Sequence, residues 1–461
     1  MIKHAKDIRI LLERRLRLWS ECEWDILINE AVTLDKKLMN RGYGNGNDIS
    51  KIFHSQMARG KVKEAMRKLM EEVDTSVLDP MKIIDDAGTT VLDDLKSKHP
   101  LPTIPDPESL HLPSGFTEIP PLLQVQVTAD IVEVVARKLH GGGGPSGSKA
   151  DQWADFLLRH GRSSTHLREA VAALANRLGN EDVPWDSIRA LVASRLVALD
   201  KCPGVRPIGV GECLRRILAK CMAEVSGDEV TSACKGNQLA GGLSGGIEGA
   251  VHAMNKLYQE KALPNSNWGL LLVDAKNAFN SVNRIKALWY ARFHWPSCSR
   301  FLYNTYKAHA ELVLRGGVVN LHSREGVTQG DPLAMLLYAL STLPLIEDLK
   351  ASNVQQCWYA DDSSAQGSFT DLKGWWDELA KCGPDYGYFP QGQKSFLVVR
   401  DNSTVSSYLE PWIVLGCEGR KTADGLRQTP LQPEPVDALS NHLQLSDAFR
   451  ARVASQGDTA S

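Results

Sequence analysis

The chain lacks several patterns that would assign it to a class of protein at once. Its 461 residues include nine cysteines, an odd number, and no two of them stand in the CxxC spacing of a zinc site. The 12 histidines form no ligand pair beside them. Because single, scattered cysteines are typical of a reducing compartment, we expect an intracellular protein, with nucleus and cytoplasm both open.

Long apolar runs are also missing. The longest apolar stretch, residues 333–346, contains Pro344 and is shorter than the roughly 20 apolar residues of a membrane span. Residues 1–19 are interspersed with Lys, Arg and Asp and show no apolar core of a secretory signal. We therefore expect no membrane partner.

The charge is close to balanced, with 53 basic and 55 acidic residues and a formal net charge of −2. This balance neither indicates nor excludes a nucleic-acid partner, since a local basic patch is enough for binding. With 43% hydrophobic and 23% charged residues, the composition is that of an ordinary folded protein. The length predicts about two or three domains.

The predicted organisation begins with helices. Apolar positions recur at helical spacing over residues 1–41, and a second helical stretch follows over 61–73. Prolines then crowd between His99 and Leu122 and predict an extended linker, because proline interrupts helices and central strands. The glycine-rich run 141–147 is a second loop. A phosphate cradle is disfavoured there, because no strand precedes it and no Gly-Lys-Ser/Thr follows.

Beyond the glycine-rich run the pattern changes. Helices are predicted over 151–159 and 165–178, the second closed by Gly179 at its C-cap. Strands are predicted over 196–199 and 205–210, joined by a Pro203–Gly204 turn, with a helix over 212–222. Apolar strands alternate with helices over 265–400, which indicates an α+β domain. The predicted domains are a helical extension (1–98), a Pro/Gly-rich linker region (99–150), an α+β domain (151–400) and an irregular tail (401–461).

Two segments deliver carboxylates at the ends of apolar runs. Residues 268–273 read as a buried strand that ends on Asp274, which is either functional or the N-cap of a helix near Ser281. The aromatic and apolar run 357–360 is followed directly by the adjacent pair Asp361 and Asp362. Neighbouring carboxylates repel unless a cation neutralises them, and magnesium prefers such oxygens together with substrate phosphates. A polar turn with an Asx cap is the alternative.

Residues 325–335 form a glycine-containing loop that leads into a helix. Asp331 as N-cap and Pro332 at the first helical position predict that the helix starts at once. Gly326 and Gly330 permit close backbone approach, and Gln329 offers an amide to a base or sugar. A capped helix alone accounts for Asp331 and Pro332 but not for Gln329.

The predicted hairpin near residue 200 is locally basic. Cations outnumber Asp200 and Glu212 between residues 195 and 220, where they stand at positions 195, 201, 206, 215, 216 and 220. Lys201 and Arg206 could bind a triphosphate or a template backbone, with Arg able to bind phosphate bidentately. A solvated basic surface is the alternative.

In this order the four features resemble the reverse transcriptase family, most closely the enzymes of non-LTR (LINE-like) retrotransposons. Tyr359-Ala-Asp-Asp362 stands at the position of the family signature, and Asp274 at that of its first catalytic aspartate. Gly-Val-Arg206-Pro-Ile resembles its fingers motif, and residues 387–395 resemble a palm segment. The similarity covers roughly residues 195–400, with a weaker part from about Lys61.

The resemblance implies an α+β, right-hand polymerase fold, with fingers and an antiparallel palm sheet backed by helices. It implies DNA synthesis on an RNA template, with a DNA primer and deoxynucleoside triphosphates as partners. Two Mg²⁺ ions, or Mn²⁺ in their place, would be held by Asp274, Asp361 and Asp362. The implied substrate-binding residues are Lys201, Arg206, Ala275, Phe279, Gln329, Gly330 and Lys394. Phe279 would lie beneath the incoming sugar and exclude a 2′-hydroxyl.

The chain also departs from the family. Val414-Leu415-Gly416 is only a faint echo of the primer grip, and the thumb pattern is missing or degenerate. We therefore expect poor processivity and low activity, as in a fragment or a decayed element's product. The alternative function is a catalytically silent remnant that binds RNA or acts as a scaffold. An RNA-dependent RNA polymerase is disfavoured by Phe279, and a nucleotide cyclase leaves the basic hairpin and the Gln329 loop unexplained.

Overall fold

The computed structural model describes residues 5–40, 53–54, 57–58, 77–201, 204–263, 266–314, 320–351 and 353–399. It divides the chain into two compact units, residues 1–76 and 77–461. The helix predicted over 61–73, Pro203, the 414–416 grip echo and the 401–461 tail lie outside the described residues. Within the described residues no helix is long and apolar enough to cross a membrane.

Over residues 5–40 the first unit forms the helices α1 (Ala5–Ser20) and α2 (Trp24–Asn40). They confirm the helical periodicity of residues 1–41. The rings of Trp19 and Trp24 meet edge to face with their centroids 4.4 Å apart. Arg14 and Arg15 both donate to the carboxylate of Glu30, at 3.0 and 2.8 Å, so these two cations are engaged within the unit.

The second unit begins with a helical layer that precedes its first strand. Its helices are α3 (Val91–Ser97), α4 (Ala129–Arg137), α5 (Ala150–Leu158), α6 (Arg162–Asn180) and α7 (Trp185–Val192). The helices that follow the first two strands are α8 (Cys213–Cys234), α9 (Gly246–Lys261), α10 (Ala278–Ser281), α11 (Arg284–His294), α12 (Pro296–Tyr306), α13 (Ala334–Asp348) and α14 (Phe369–Cys382). One-turn 3-10 helices span Pro107–Ser109, Gly383–Tyr386 and Gly392–Lys394.

The described strands form two four-stranded sheets. They are β1 (Ser194–Asp200), β2 (Val205–Gly211), β3 (Trp268–Val273), β4 (Ala310–Val313), β5 (Asn320–Ser323), β6 (Gln355–Tyr359), β7 (Asp362–Ser368) and β8 (Phe396–Val398). The first sheet has the order β2-β1-β4-β5 and is mixed, because β1 and β4 run parallel. The second has the order β6-β7-β3-β8 and is antiparallel throughout. The α+β class expected from the sequence is confirmed.

The main core lies between the helices and the second sheet. α8 and α13 are buried on several faces, as an apolar helix in the middle of a domain must be. Trp295, Trp358 and Tyr338 are among the largest side chains that are completely or almost completely buried in it. A separate small core under α3 and the first sheet includes Val91 and Leu196.

One predicted helix end is wrong. Gly179 was expected to close its helix, but α6 continues to Asn180 and Glu181 is the C-cap. A Cβ at position 179 would come within 2.5 Å of the Val125 side chain, so Gly179 permits close packing inside the helix. The glycine therefore marks an interhelical contact rather than a helix end.

The proline-rich segment is extended, as its composition predicts, with one 3-10 turn at Pro107–Ser109. Side chains elsewhere in the second unit donate hydrogen bonds to its carbonyl groups. Trp289 Nε1 donates to the carbonyl oxygen of His111 at 3.0 Å, and Asn283 Nδ2 to that of Thr103 at 3.0 Å. The segment thus forms part of the wall around α11.

The glycine-rich run 141–147 is a loop, in agreement with the sequence. Two arginines hold it by its carbonyl oxygens. Arg216 Nη2 donates to Gly142 at 2.6 Å, and Arg195 Nε donates to Gly143 at 3.0 Å. A phosphate cradle would instead present backbone N–H groups, so these contacts give the loop a structural role.

Candidate active site

The first two carboxylates are brought together by strand register. β3 and β7 are antiparallel, and Val273 is the Cα partner of Ser363. Asp274 directly follows Val273 and Asp362 directly precedes Ser363. The two aspartates therefore lie at the same end of the β3–β7 ladder, just beyond its last pair. Cross-strand neighbours in such a ladder lie about 5 Å apart at Cα.

The third carboxylate lies in the turn that joins β6 to β7. Tyr359 pairs with Asp362, which leaves Ala360 and Asp361 as a two-residue hairpin loop. Ala360 has φ +52°, a positive value of the kind that tight hairpin turns require. Asp361 is 4% exposed, whereas Asp362 is partly exposed. The adjacent carboxylates therefore occupy different environments, as their alternation along the hairpin predicts.

Gln238, on the chain just after α8, holds the turn by its backbone. Its side chain is 1% exposed and accepts a hydrogen bond from the Ala360 N–H at 2.8 Å. Its Nε2 donates to the Ala360 carbonyl oxygen at 3.0 Å and to Thr342 Oγ1 at 3.1 Å. The next residue, Leu239, donates its N–H to the Trp358 carbonyl oxygen at 2.9 Å. One buried amide thus satisfies both backbone groups of the residue that precedes Asp361.

Tyr388 lies beneath the same turn. Its hydroxyl donates to the Asp361 carbonyl oxygen at 3.0 Å and lies 3.0 Å from Ser363 Oγ. Burial raises the pKa of Tyr388 well above its ordinary value, and the charges of Asp361, Asp362 and Asp274 raise this pKa further. The tyrosine therefore stays protonated and can donate.

The end of β3 is tied to the segment that precedes β8. The Gln391 N–H donates to the Asp274 carbonyl oxygen at 2.8 Å, and Ala275 forms a β-bridge with Pro390. The Asp274 N–H donates to Ser395 Oγ at 3.4 Å. Lys394 is exposed in the 3-10 turn between these contacts. These backbone contacts hold the segment around Lys394, which the sequence analysis likened to a palm segment, beside Asp274.

Phe279 is mostly buried, at 8% exposure, and stacks on Tyr338 with the ring centroids 4.7 Å apart. Its carbonyl oxygen accepts from the Val327 N–H at 2.7 Å. Gly326 lies against the same backbone, with φ +62°, and a Cβ there would come within 2.3 Å of the Phe279 carbonyl oxygen. Only glycine fits this position, so the 325–331 loop and Phe279 are held as one piece.

The same loop packs on β2. The Gln329 carbonyl oxygen accepts from the Gly209 N–H at 2.8 Å, and a Cβ on Gly330 would come within 2.6 Å of the Gly209 carbonyl oxygen. A Cβ on Gly209 would likewise meet Thr328 at 2.5 Å. The Gln329 side chain is partly exposed beside this contact.

Asp331 does not begin the helix, contrary to the sequence prediction. α13 starts at Ala334, and its N-cap is Leu333. Asp331 Oδ1 still accepts a hydrogen bond from the Leu333 N–H at 2.9 Å, just before the helix begins. Its Oδ2 accepts from Arg215 Nη2 at 2.7 Å and from the Tyr306 hydroxyl at 3.1 Å, because a buried arginine needs a partner. Asp331 therefore joins α8 and α12 to the loop.

The basic hairpin is formed by β1 and β2, whose antiparallel register includes Leu199 opposite Arg206. The Lys201 N–H donates to the Gly204 carbonyl oxygen at 3.0 Å and so helps to close the hairpin. Lys98 connects this end to the chain that follows Asp274: its ammonium donates to the Val205 carbonyl oxygen, and its own carbonyl oxygen accepts from Asn277 Nδ2 at 2.9 Å. Lys201 is exposed and Arg206 is partly exposed.

The donor chemistry of the three aspartates suits magnesium, which prefers hard carboxylate oxygens. However, among the described residues no three His, Cys, Asp or Glu side chains are grouped so that they could hold a metal ion. Magnesium is commonly bound through one or two carboxylates, with water and substrate phosphates as the remaining ligands. The aspartates therefore fit a site completed by substrate, and do not form a cage made of protein alone.

Sequence reasoning missed the residues that support this edge. Gln238 and Tyr388 lie far from the hairpin in the chain, and nothing local marks them as its partners. A second missed group is Arg284 with Glu325: the Glu325 carboxylate accepts from the Arg284 N–H at 2.6 Å and from the Gly326 N–H at 3.2 Å. The Arg284 guanidinium donates to the Gly326 carbonyl oxygen at 2.9 Å.

We expect Gln238→Ala to lower the free energy of unfolding by about 2–3 kcal/mol, because the change leaves a buried N–H and carbonyl group of Ala360 without partners. Amide hydrogen exchange at Ala360 should accelerate at the same time. Urea denaturation and exchange measurements test both effects, with Gln259→Ala, on the exposed face of α9, as control. An equal effect of the two substitutions would contradict this role for Gln238.

Comparison with known proteins gives little further guidance. No family model and no curated protein matches the chain. A solved structure of apo telomerase from Candida tropicalis aligns with a TM-score of 0.37 and 12% identity over 48% of this chain and 46% of that chain. A form truncated from its C-terminal domain aligns with a TM-score of 0.36 and 12% identity over 46% and 51%. The alignments thus span about half of each structure, and scores this low establish no common fold.

Proposed function

We propose that the chain is a reverse transcriptase, which extends a DNA primer on an RNA template by nucleotidyl transfer. The observation that carries this proposal is the β3–β7 register, which ends Asp274 and Asp362 at one sheet edge beside Asp361. Carboxylates gathered at the end of a sheet repel one another. A cation that also binds a phosphorylated substrate reduces this repulsion. We further propose that the second sheet is a polymerase palm and the β1–β2 hairpin part of the fingers.

In this proposal Asp274, Asp361 and Asp362 hold magnesium together with the nucleotide phosphates. The bound metal supplies activation of the primer 3′-hydroxyl and charge to stabilise the leaving pyrophosphate. Tyr388 and Gln238 do not touch substrate; they position the turn by its backbone. Their rigidity matters, because a carboxylate displaced by about 1 Å loses much of its effect on rate.

The basic residues around the edge bind and orient the triphosphate. Lys201 and Arg206 supply fixed positive charge from the hairpin, and Lys394 supplies it from the segment tied to Asp274. Gln329, with Gly330 and Ala275 beside the path of the nucleotide, contacts nucleotide or template. Base pairing with the template selects the nucleotide, so the protein reads backbones rather than sequence.

Phe279 selects deoxynucleotides in this proposal. Its ring is held by the stack on Tyr338 and by the backbone contact of Val327, so it has little freedom to move aside. A fixed ring under the sugar leaves no space for a 2′-hydroxyl. The same three carboxylates would also serve an RNA-dependent RNA polymerase. Exclusion of the 2′-hydroxyl by Phe279 is therefore what distinguishes a reverse transcriptase from it.

The second candidate function is a catalytically silent retroelement remnant that binds RNA or acts as a scaffold. It is favoured by one observation: the described carboxylates form no group of three side chains placed to hold a metal. In that case the three aspartates would be a record of ancestry, and the basic hairpin would bind nucleic acid without catalysing a reaction.

Primer extension on an RNA template with Mg²⁺ separates these candidates. We expect the parent chain to incorporate deoxynucleotides, and Asp361→Asn and Asp274→Asn each to reduce the rate about 10²–10³-fold, the loss typical when one group that stabilises transition-state charge is removed. Asp377→Asn is the matched control, since Asp377 is half exposed and pairs only with Lys373 within α14. If the parent shows no metal-dependent extension, the enzyme proposal falls and the silent remnant remains.

Sugar selection is tested by Phe279→Ala. We expect the ratio of ribonucleotide to deoxynucleotide incorporation to rise at least about tenfold, because space opens for the 2′-hydroxyl. The ratio is measured within one preparation, so a loss of folded protein from the new cavity cancels. Phe156→Ala, at an exposed position on α5, is the control. A parent that prefers ribonucleotides would instead support an RNA polymerase.

A further inference from the structure

A cavity of about 540 Å³ opens on the side of α11 and α12, and none of the three aspartates lines it. Its walls come from both helices, from the proline-rich segment at Pro102 and Leu122, and from the chain around Arg324. The volume lies within the range of about 300–1,000 Å³ that small-molecule sites occupy. All of these residues belong to the second unit.

The charges in the cavity are strongly unbalanced. Glu325 is the acidic residue of the described lining, against the cations Arg284, Arg292, Arg300, Lys307 and Arg324. Glu325 lies beside Arg284, and Lys307 Nζ donates to Asp182 at 2.6 Å, so two of these cations are compensated. Three arginines remain: Arg292, Arg300 and Arg324.

Among the described residues none of these three arginines forms a salt bridge, although Lys307 and, more weakly, the charge of Arg300 lower the pKa of Asp182. Arg292 donates one nitrogen to the Pro120 carbonyl oxygen, but its Nη1 is buried without a hydrogen-bond partner. Arg300 Nε is likewise buried without one. Partial burial lowers the pKa of Arg292, and the charge of Arg300 lowers it further, so the two guanidinium groups are close enough to repel. Such a pair calls for an anion between or beside them.

The cavity also offers flat and apolar surface. Tyr303 is 42% exposed, and its ring lies 5.1 Å from Lys307 Nζ and 5.7 Å from the Arg300 guanidinium carbon. Leu288 and Trp289 contribute further apolar surface. An aromatic ring beside guanidinium groups is the arrangement on which nucleobases stack while their phosphates are held.

We propose that this cavity binds a nucleotide unit, with its phosphate among Arg292, Arg300 and Arg324 and its base against Tyr303. Guanidinium binds phosphate oxygens bidentately, and the apolar wall favours a flat base over inorganic phosphate alone. The ligand is a free mononucleotide or one residue of a single-stranded RNA; the chemistry is the same in both. The inference does not depend on polymerisation, because it rests on residues outside the proposed active site.

The test is photo-crosslinking of a short single-stranded RNA that carries 5-iodouridine, in EDTA so that metal-dependent chemistry is absent. We expect crosslinks at Tyr303 or Trp289, located by peptide mass spectrometry. Arg300→Gln and Arg324→Gln should each reduce this crosslink about tenfold, the effect of one lost charge-assisted hydrogen bond. Arg159→Gln, an exposed cation on α5 paired with Asp155, should leave it unchanged.

Competition identifies the source of the ligand. Suppression of the crosslink by millimolar AMP supports a site that also accepts free nucleotides, and resistance to AMP with suppression by unlabelled RNA supports an RNA site. Crosslinks found only elsewhere, or equal crosslinking by the Arg300 and Arg159 variants, would overturn the proposal. Primer extension is measured separately, so failure here leaves the active-site proposal standing.

Discussion

The antiparallel register between β3 and β7 is the constraint on which the rest of the site depends. Because side chains alternate along a strand, a shift of one residue would turn Asp274 to the opposite face and separate it from Asp362. The register is held by the buried apolar residues of β3, by its ladder with β7 and by β8 on the other side of β3. A core made for packing therefore also determines where the charges lie.

Repulsion among three carboxylates is opposed by contacts to the backbone beneath them. Gln238 satisfies both backbone groups of Ala360, and Tyr388 donates to the Asp361 carbonyl oxygen. Both contacts are to backbone groups of the turn. A buried polar network that is fully hydrogen-bonded fixes one arrangement, whereas a partly satisfied one would let the turn move. The backbone of the turn is therefore held in one position.

Local patterns in the sequence were enough to find the parts of this site. A strand ending on Asp274, a hairpin carrying Asp361 and Asp362, and the β1–β2 hairpin all follow from periodicity and turn residues within short windows. Their pairing was not predictable in this way, because register between distant strands depends on the whole core. The resemblance to a known family predicted that they form one site, and the strand order brings them together in space.

The errors have one physical cause, which is that tertiary contacts override local signals. Gly179 was taken for a helix end, but it makes room for Val125. The helix was expected to start directly after Asp331, but it starts at Ala334, and the Asp331 carboxylate also pairs with Arg215 across the core. Gln238 gave no signal because a buried amide is distinguished only by its partners. Chemistry-bearing residues were therefore easier to find than the residues that position them.

A crystal of the chain grown with Mn²⁺ and a deoxynucleoside triphosphate tests the central claim most directly. The account predicts an anomalous difference peak that contacts Asp274, at least one aspartate of the hairpin, and the triphosphate. Carboxylates too far apart to share an ion, or manganese bound only away from this edge, would contradict it.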